Sequence, residues 1–302
     1  MNSIHRYVSP LRYPGGKARV TNFLKLLILE NDLVGVRYVE PYAGGASVAL
    51  TLLFEDYVST ITINDLNPGV HAFWRSVLTD TDEFCRLVTK TPLTVREWRR
   101  QRETAFNPDA GGLERGFATF FLNRTNRSGI IGGGSVIGGL NQSGPWKIDA
   151  RFPRDELVRR VRKIARFRSR ITLLCADTLD LLRSSQDDGS SFYFLDPPYY
   201  VKGERLYDNF YNHKDHVKIR DAVMMLKSPW VVSYDDAPPI LHMYRDSHSL
   251  RYSASYSAHT RQSGSEVMFF HSGLIPSDDS PISVPEARVD KARLAAVTGS
   301  PP

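Results

Sequence analysis

The sequence predicts an α/β protein with a doubly wound, mostly parallel sheet and an inserted, mostly helical lobe. Short apolar runs that suit buried strands alternate with stretches of helical periodicity. This alternation is typical of a parallel sheet whose strands are connected by helices. It is interrupted between about Asp80 and Arg170, where helical patterns follow one another and basic residues concentrate.

Hydrophobic spacing predicts the individual elements. Residues 17–29 place apolar side chains at i, i+3, i+4, i+7 and i+8, which indicates a helix with one buried stripe. Strands are predicted at 36–39, 61–63, 171–175, 192–195, 230–233 and 267–270. Helices are predicted at 46–54, 68–78, 213–227 and 238–244, and within the inserted lobe at 94–103, 113–122 and 155–167. The glycine-rich stretch 132–144 predicts a loop.

These patterns divide the chain into three parts. We expect a discontinuous catalytic domain at residues 1–80 and 171–274, an inserted lobe at 81–170, and a flexible Ser-, Pro- and Asp-rich tail at 275–302. Residues 90–170 contain 18 Lys and Arg against 7 Asp and Glu, although the net charge of the whole chain is only +6. This asymmetry favours a polyanionic partner, and a solvated helix surface is the alternative.

Composition also indicates a cellular compartment. No apolar run reaches the length of a membrane span, and the first ten residues lack the apolar segment of a signal peptide. The two cysteines, Cys85 and Cys175, have no metal-binding spacing, so we expect buried thiols in a reducing environment. The sequence therefore predicts a cytoplasmic protein with no membrane association and no evident obligate protein partner; the motifs described below add the expectation that a bacterium, an archaeon or a phage encodes it.

The stretch YVEPYAGGASVAL at 38–50 predicts a ligand-binding loop. A strand ends at Glu40, a loop containing Gly44 and Gly45 follows, and an apolar helix begins near Ala46. Glycine lets a ligand approach the backbone closely, and a helix N-terminus favours negative groups. The spacing matches neither GxGxxG nor a phosphate-binding P-loop.

Two further acids follow predicted strands. Asp65 comes after the strand at 61–63, and its carboxylate suits either the vicinal hydroxyls of a ribose or a helix N-cap. Asp177 comes after the strand at 171–175 and suits either an adenine amino group or a helix cap. With Glu40 and the glycine loop, these acids predict a nucleoside-shaped pocket better than they predict independent caps.

The stretch FYFLDPPYY at 192–200 places a carboxylate at the end of a predicted core strand. Pro197 and Pro198 exclude a helix and hold Asp196 on a stiff corner. A ring amine becomes nucleophilic as its nitrogen turns tetrahedral, and two hydrogen-bond acceptors favour that change. Asp196 supplies one acceptor, the carbonyl of Pro197 supplies the other, and Tyr199 can stack on the ring. The predicted catalytic residues for in-line methyl transfer are Asp196, Pro197, Pro198 and Tyr199.

Seven motifs occur in one order along residues 11–272 and carry a family resemblance. They are RYPGGK (12–17), VEPYAGGASV (39–48), INDLNP (63–68), CADTLDLL (175–182), LDPPYY (195–200), WVVSYDD (230–236) and SEVMFF (265–270). The ordered set resembles the Dam-type adenine-specific DNA methyltransferases, whose cofactor is S-adenosyl-L-methionine. The resemblance implies a Rossmann-like methyltransferase sheet, a target-recognition lobe, and methylation of adenine N6 in double-stranded DNA. Base flipping is expected because a stacked adenine cannot reach a pocket at strand ends.

The resemblance also implies roles for individual residues. Tyr13, where Trp is frequent in the family, and Lys17 would lie in the pocket. Asp65 would hold the ribose and Asp177 the cofactor adenine, while Asp196, Pro197 and Tyr199 would receive the target base. The predicted cofactor-binding residues are Tyr13, Lys17, Glu40, Pro41, Gly44, Gly45, Asp65, Asp177, Thr178 and Asp196.

DNA contacts are predicted in the basic lobe. The stretch FFLNRTNRSGIIGGG at 120–134 concentrates side chains that bind phosphates or base edges. The predicted DNA-binding residues are Arg124, Asn126, Arg127 and Ser128.

Several alternatives stay open at this point. The same acceptors serve N4 of cytosine, although SPPY is the commoner spelling there, and Asp196 also disfavours a protein-glutamine or RNA methyltransferase. A DNA-binding relative without activity is a further alternative, against which the intact catalytic stretch argues. His213 and His216 lack a third ligand at useful spacing, so no metal site is predicted. Restriction–modification, phage and orphan enzymes share this chemistry, and the sequence does not indicate the recognition site.

Overall fold

The computed structural model describes residues 8–12, 17–184, 187–201, 211–258 and 260–298. The chain divides into two compact units. The first unit comprises Met1–Gly16 and Asn64–Cys175, and the second comprises Lys17–Ile63 and Ala176–Pro302. The functional division predicted from the sequence, with boundaries near residues 80, 171 and 275, stays a prediction.

The second unit is built on a mixed β-sheet. The strands in chain order are β1 (Arg37–Glu40), β2 (Thr60–Asn64), β3 (Ile171–Leu174), β4 (Ser191–Leu195), β5 (Trp230–Asp235), β6 (His248–Ala258) and β7 (Thr260–Phe270). Strand β3 belongs to the first unit. In the second unit the order is β2-β1-β4-β5-β7-β6. Strands β2, β1, β4 and β5 are parallel, and β7 is antiparallel to both of its neighbours. All six predicted strands are present, and the α/β fold class is confirmed.

Helices connect the strands. In chain order they are α1 (Thr21–Glu30), α2 (Ser47–Phe54), α3 (Pro68–Thr79), α4 (Thr81–Lys90), α5 (Val95–Phe106), α6 (Gly112–Thr125), α7 (Arg154–Arg166), α8 (Thr178–Ser184), α9 (His213–Met224), α10 (Pro238–Met243) and α11 (Glu286–Thr298). A 3-10 turn, Lys17–Val20, leads into α1. The stripe predicted on α1 is buried, because Phe23, Leu24, Leu27 and Ile28 are almost completely inaccessible to solvent.

The register of the parallel strands brings their carboxyl ends to one edge of the sheet. Val39 of β1 lies opposite Tyr193 of β4, and Leu195 of β4 lies opposite Val232 of β5. Strand β4 is buried along its whole length, as expected for a central parallel strand. Residues that end or follow β1, β4 and β5 therefore share the edge where open α/β sheets usually bind ligands.

The first unit has a separate core of aromatic side chains. Phe73 of α3 stacks on Phe120 of α6 with ring centroids 5.8 Å apart, and Phe84 of α4 contacts both rings edge-on. Gly116 allows α3 and α6 to approach closely, since a Cβ at this position would lie 2.4 Å from the carbonyl oxygen of Ala72. The mostly helical character predicted for this part of the chain is confirmed.

Three features differ from the sequence-based expectations. Strand β6 was not predicted because its sequence, HSLRYSASYSA, is too polar to resemble a buried strand, and it forms by pairing with β7 along its length. The tail contains helix α11, whose Val289 and Ala292 are buried and whose Arg288 Nη2 lies 2.9 Å from Glu30 Oε1. Cys85 is buried as expected, but the expectation for Cys175 is wrong, because its thiol is exposed.

Candidate active site

An ion cluster lies at the end of β4. The ammonium nitrogen of Lys17 lies 2.9 Å from Oδ1 of Asp196 and 3.4 Å from Oε2 of Glu266. The side chains of Lys17 and Glu266 are only 5% and 3% exposed, while that of Asp196 is 21% exposed. Two carboxylates therefore share one buried ammonium, and Asp196 is the member of the cluster that solvent can reach.

Tyrosines connect the cluster to the sheet. The hydroxyl of Tyr199 donates to Oε1 of Glu266 at 2.8 Å, and the hydroxyl of Tyr252 donates to Oε2 of Glu266 at 2.5 Å. Tyr252 Oη also lies 3.0 Å from Ser233 Oγ on β5. The Lys17 ammonium lies 5.3 Å from the centre of the Tyr199 ring. The orientation of the Tyr199 ring is thus fixed by hydrogen bonding at its hydroxyl end.

The corner after β4 is held by a second carboxylate. Oδ1 of Asp235 accepts a hydrogen bond from the backbone N–H of Tyr200 at 2.8 Å, and Oδ2 accepts from that of Val201 at 3.0 Å. Asp235 ends β5, which pairs with β4. The two prolines before Tyr199 have no N–H to donate, so the corner is anchored immediately after them.

Burial and neighbouring charges shift the pKa values of these groups. Burial raises the pKa of Asp196, the Lys17 ammonium lowers it and Glu266 raises it, with a result of about 6. Burial lowers the pKa of Lys17, but the charges of Asp196 and Glu266 outweigh burial and leave it raised. At neutral pH the chain therefore presents an ionised Asp196 paired with a charged Lys17.

Glu40 has a different charge state. Burial raises its pKa, the backbone N–H of Ala49 lowers it and the charge of Asp196 raises it, with a net value of about 8. Oε2 of Glu40 accepts that N–H at 3.2 Å, which ties the end of β1 to the first turn of α2. At neutral pH Glu40 is mostly protonated, so it differs from the other acids of this edge.

The glycine loop between β1 and α2 is buried and sharply turned. Gly44 and Ala46 both have positive φ angles, 45° and 47°, and the N–H of Ala46 donates to the carbonyl of Ala43 at 2.6 Å. Thr178 Oγ1 donates to the carbonyl of Pro41 at 3.3 Å, which connects this loop to the start of α8. Gly45 is buried within the same loop.

Asp177 and Asp65 lie in different units. In the second unit, Oδ1 of Asp177 accepts the N–H of Leu179 at 2.8 Å at the start of α8. In the first unit, Oδ1 of Asp65 accepts the N–H of Asn67 at 2.9 Å, and the side chain of Asn67, not that of Asp65, caps α3. Both acids are half-buried. Tyr13 lies outside the described residues.

The predicted DNA-binding residues in the first unit fall into two groups. Arg127 is exposed, and Ser128 is half-buried with a φ of 55°. Asn126 is only 1% exposed, and its amide accepts from Trp98 Nε1 and donates to the carbonyl of Ile130, each at 2.7 Å. The structure therefore places Asn126 inside the turn that it stabilises, whereas Arg127 lies on the surface.

Arg124 is buried among other guanidinium groups. It is 7% exposed, and its Nε has no hydrogen-bond partner in the described part of the chain. Burial and, to a smaller extent, the charges of Arg12, Arg160 and Arg151 together lower its pKa to about 9. A buried cation that only like charges surround is costly, and an anion would relieve that cost.

Sequence reasoning missed Glu266 and Asp235 as site residues. Both lie in quoted motifs, SEVMFF and WVVSYDD, yet neither residue was assigned a role. The sequence carries one signal for Glu266, a single acid directly before an apolar predicted strand. Because a carboxylate is rarely buried unless it is paired, an acid at this position indicates a partner.

No group of three or more His, Cys, Asp or Glu side chains able to hold a metal ion occurs among the described residues. His213 Nδ1 lies 2.9 Å from Tyr200 Oη, and His216 Nδ1 lies 3.0 Å from Tyr234 Oη, so each ring contacts a tyrosine. Within the described ranges, no helix has the length and apolar character needed to cross a membrane.

Comparisons with known proteins identify the family of the chain. The family model of the D12 class N6 adenine-specific DNA methyltransferases matches residues 13–258. The chain is 23% identical over 252 residues to the retron Ec67 DNA adenine methylase of Escherichia coli, covering 78% of this chain and 80% of that protein. It is 22% identical over 205 residues to the type II methyltransferase M.MjaIII of Methanocaldococcus jannaschii, covering 63% and 68%. The chain belongs to the D12 class N6 adenine-specific DNA methyltransferase family.

Proposed function

We propose that S-adenosyl-L-methionine is the methyl donor of this adenine-specific DNA methyltransferase, and that the corner formed by Asp196 and Pro197 receives the target amine. The observation that carries the proposal is the buried ion cluster at the end of β4. It holds an ionised carboxylate at the solvent-accessible end of a core strand. The family match favours adenine over the alternative of cytosine N4.

The residues of the corner act on the amine of the target base. The carboxylate of Asp196 and the carbonyl of Pro197 each accept one N–H, which favours tetrahedral geometry and frees the nitrogen lone pair for attack. Tyr199 orients the ring of the base by stacking, and its hydroxyl is held by Glu266. Methylation releases one proton from the nitrogen, and Asp196, with its pKa near 6, can take it up and pass it to water.

The loop after β1 fits the proposed donor. S-adenosyl-L-methionine supplies a methyl group on a positively charged sulfonium. In this unit the buried, sharply turned backbone at Gly44 admits a ligand close to the main chain, and Asp177 and Asp196 are acids suited to a cationic nucleoside. Glu40, mostly protonated, offers a hydrogen-bond donor at the same edge. Pro41 and Thr178 connect the two loops that carry these groups. Asp65 lies in the first unit, and its role in binding the ribose stays a prediction.

The first unit supports a role in DNA binding. It contains the basic segment, with Arg127 exposed and Arg124 buried beside other arginines. We infer that this surface neutralises phosphates while the target adenine is flipped out, a step that costs a few kcal/mol (about 2–4). Because the substrate is DNA, we also infer that the enzyme acts in the cytoplasm.

Product analysis tests the proposed function. The protein is incubated with double-stranded DNA and with S-adenosyl-L-methionine labelled in its methyl group, and the DNA is digested to nucleosides. We expect the label in N6-methyladenine, and none in RNA of the same sequence. Label on cytosine, or no label on genomic DNAs of diverse sequence, would contradict the proposal.

A further inference from the structure

Glu266 is a buried carboxylate in an apolar stretch of β7. It is 2% exposed, and the next four residues, Val267–Phe270, are buried hydrophobic side chains. Moving a carboxylate out of water is costly unless its charge and lone pairs are well compensated. A valine or threonine would suit this strand position better, so the contacts of Glu266 indicate why a carboxylate is present.

These contacts join three parts of the second unit. Lys17 lies just before α1, Tyr199 follows the double proline, and Tyr252 lies on β6; each of them contacts the carboxylate of Glu266. Tyr252 is supported in turn by Ser233 of β5. The position of Glu266 is therefore fixed from the sheet side, while its other contacts face the corner of Asp196.

We propose that Glu266 is a positioning residue for methyl transfer, which fixes the Tyr199 ring and retains the Lys17 ammonium when the target amine engages Asp196. This inference rests on the proposed function, because it assumes that Asp196 receives the amine.

The geometry of Lys17 explains why a second carboxylate is needed. Its ammonium lies 2.9 Å from Oδ1 of Asp196, so it occupies one of the two carboxylate oxygens that could accept a hydrogen bond from the target amine. The same ammonium lies only 3.4 Å from Oε2 of Glu266, and a small movement transfers it from one carboxylate to the other. Without Glu266, a Lys17 ammonium that moved away from Asp196 would be a buried positive charge with no carboxylate beside it.

The charges around Asp196 give this role a distinct pH signature. Lys17 lowers the pKa of Asp196, and Glu266 raises it. Glu40 is a further acid close enough for its pKa to depend on Asp196. The other titratable groups that sense Asp196 are Tyr38, Tyr234 and Tyr252. Removing the charge of Glu266 should therefore lower the pKa of Asp196.

The test is Glu266→Gln, assayed for methyl transfer to adenine with kcat, KM for DNA and the pH profile of kcat/KM. We expect kcat to fall about tenfold or more while KM changes less than about threefold, the pattern of a lost transition-state interaction. We also expect the acidic limb of kcat/KM to move to lower pH. A merely structural role of Glu266 would not move that limb in this direction.

Glu55→Gln is the matched control. Glu55 Oε2 lies 2.6 Å from the buried ammonium of Lys25, so this substitution also removes a carboxylate charge from a buried lysine, outside the proposed site. We expect its kcat and its acidic limb to match those of the wild-type protein. If the wild-type protein methylates adenine, an unchanged kcat and an unmoved acidic limb in Glu266→Gln would overturn the inference. A wild-type protein without activity would instead overturn the proposed function.

Tyr199→Phe tests the inference even where Glu266→Gln does not fold. It keeps the ring and removes only the hydroxyl through which Glu266 holds it. We expect kcat to fall, whereas Tyr244→Phe should leave kcat unchanged, because the buried hydroxyl of Tyr244 has no hydrogen-bond partner in the described residues. A wild-type kcat in Tyr199→Phe would contradict the proposed positioning through the ring.

Discussion

At the scale of single residues, neighbouring acids at one end of the sheet have different charge states. Asp196 is ionised at neutral pH because Lys17 partly offsets the effect of burial on its pKa. Glu40 is mostly protonated, since burial and the like charge of Asp196 raise its pKa to a net value of about 8. The sequence predicts that both acids lie at strand ends, but it does not predict which of them has a cation beside it.

The raised pKa of Glu40 predicts how stability depends on pH. Because the folded-state pKa of about 8 exceeds the ordinary value of 4.5, the stabilising contribution is complete below pH 4.5 and is lost as the pH rises through 8. Glu40→Gln keeps the shape of the protonated acid and removes this titration. Denaturant unfolding from pH 5 to 9 should show the wild-type protein losing on the order of a few kcal/mol relative to Glu40→Gln. Parallel pH profiles for the two proteins would contradict the prediction.

Residue types alone identify part of the candidate site. The strand–Asp–Pro–Pro pattern is sufficient to single out Asp196 and Tyr199, and the structure brings Lys17 to them. Two contributors, Glu266 and Asp235, are not predicted, because their roles depend on tertiary contacts. Glu266 joins the cluster only when β7 pairs with β5, and Asp235 accepts backbone N–H groups of the corner after β4. Asn126 shows the converse, since its polar side chain suggests a DNA contact but is used inside the protein.

At the scale of elements, the proposed catalytic corner depends on the end of the neighbouring strand. Asp196 directly follows β4, and Asp235 at the end of β5 holds the backbone that follows the prolines. Parallel pairing places both strand ends side by side, so a carboxylate on β5 is well positioned to accept those N–H groups. Rigid support of this kind keeps reacting groups aligned, and small misplacements are costly in rate.

Removing this support should slow catalysis. Asp235→Ala is expected to lower kcat about tenfold or more, because the corner loses two backbone hydrogen bonds and its alignment. Asp187→Ala is the control, since Oδ2 of Asp187 accepts the N–H of Ser228 at 2.9 Å just before β5, away from the corner. Both variants should lose stability in thermal melts, but only Asp235→Ala should lose activity. Equal kcat values in the two variants would contradict the proposed role of Asp235.

The elements themselves are largely predictable from periodicity. All six predicted strands and all eight predicted helices are present, because each has an apolar stripe or run that matches its period. Strand β6 and helices α4, α8 and α11 were not predicted. Strand β6 carries little apolar surface and depends on hydrogen bonds from β7, which local sequence does not encode. Helix α4 follows α3 after a single residue, Asp80, and buries Phe84, Cys85 and Val88 on one side.

At the scale of the whole molecule, charge is distributed unevenly along the chain. The segment from Lys90 to Arg170 carries 18 of the 39 Lys and Arg residues and lies in the first unit. The ion cluster and the glycine loop lie in the second unit. The sequence predicts this segregation of basic residues from its composition. It does not predict that Arg124 is buried, because burial depends on how α6 packs.

Salt dependence of DNA binding tests the role of the basic segment. Arg127→Ala should weaken binding and reduce the slope of log K against log salt by about 0.9, the value for one lost phosphate contact. Arg245→Ala, at an exposed arginine outside this segment, should leave the slope unchanged. Fluorescence anisotropy titrations between low and physiological salt measure the slope. Identical slopes for the two variants would contradict the assignment.

Replacing Arg124 should keep or raise the stability of the free protein and should weaken its binding to DNA. Arg124→Met removes a buried charge from among like charges, so the free protein should be equally stable or up to about 2 kcal/mol more stable. The same variant should bind DNA more weakly in the anisotropy titrations. A strong loss of stability with unchanged DNA binding would show that Arg124 has a structural role instead.

The most direct test of the account is the single-turnover rate of methyl transfer by Asp196→Asn. Asparagine keeps the size of the side chain but replaces the carboxylate that pairs with Lys17 and that we propose accepts a hydrogen bond from the target amine. DNA binding, measured separately, should be retained, and the rate should fall about 100-fold or more, as when a preorganised electrostatic contact is removed. A single-turnover rate within about threefold of wild type would contradict the central claim that Asp196 acts on the target amine.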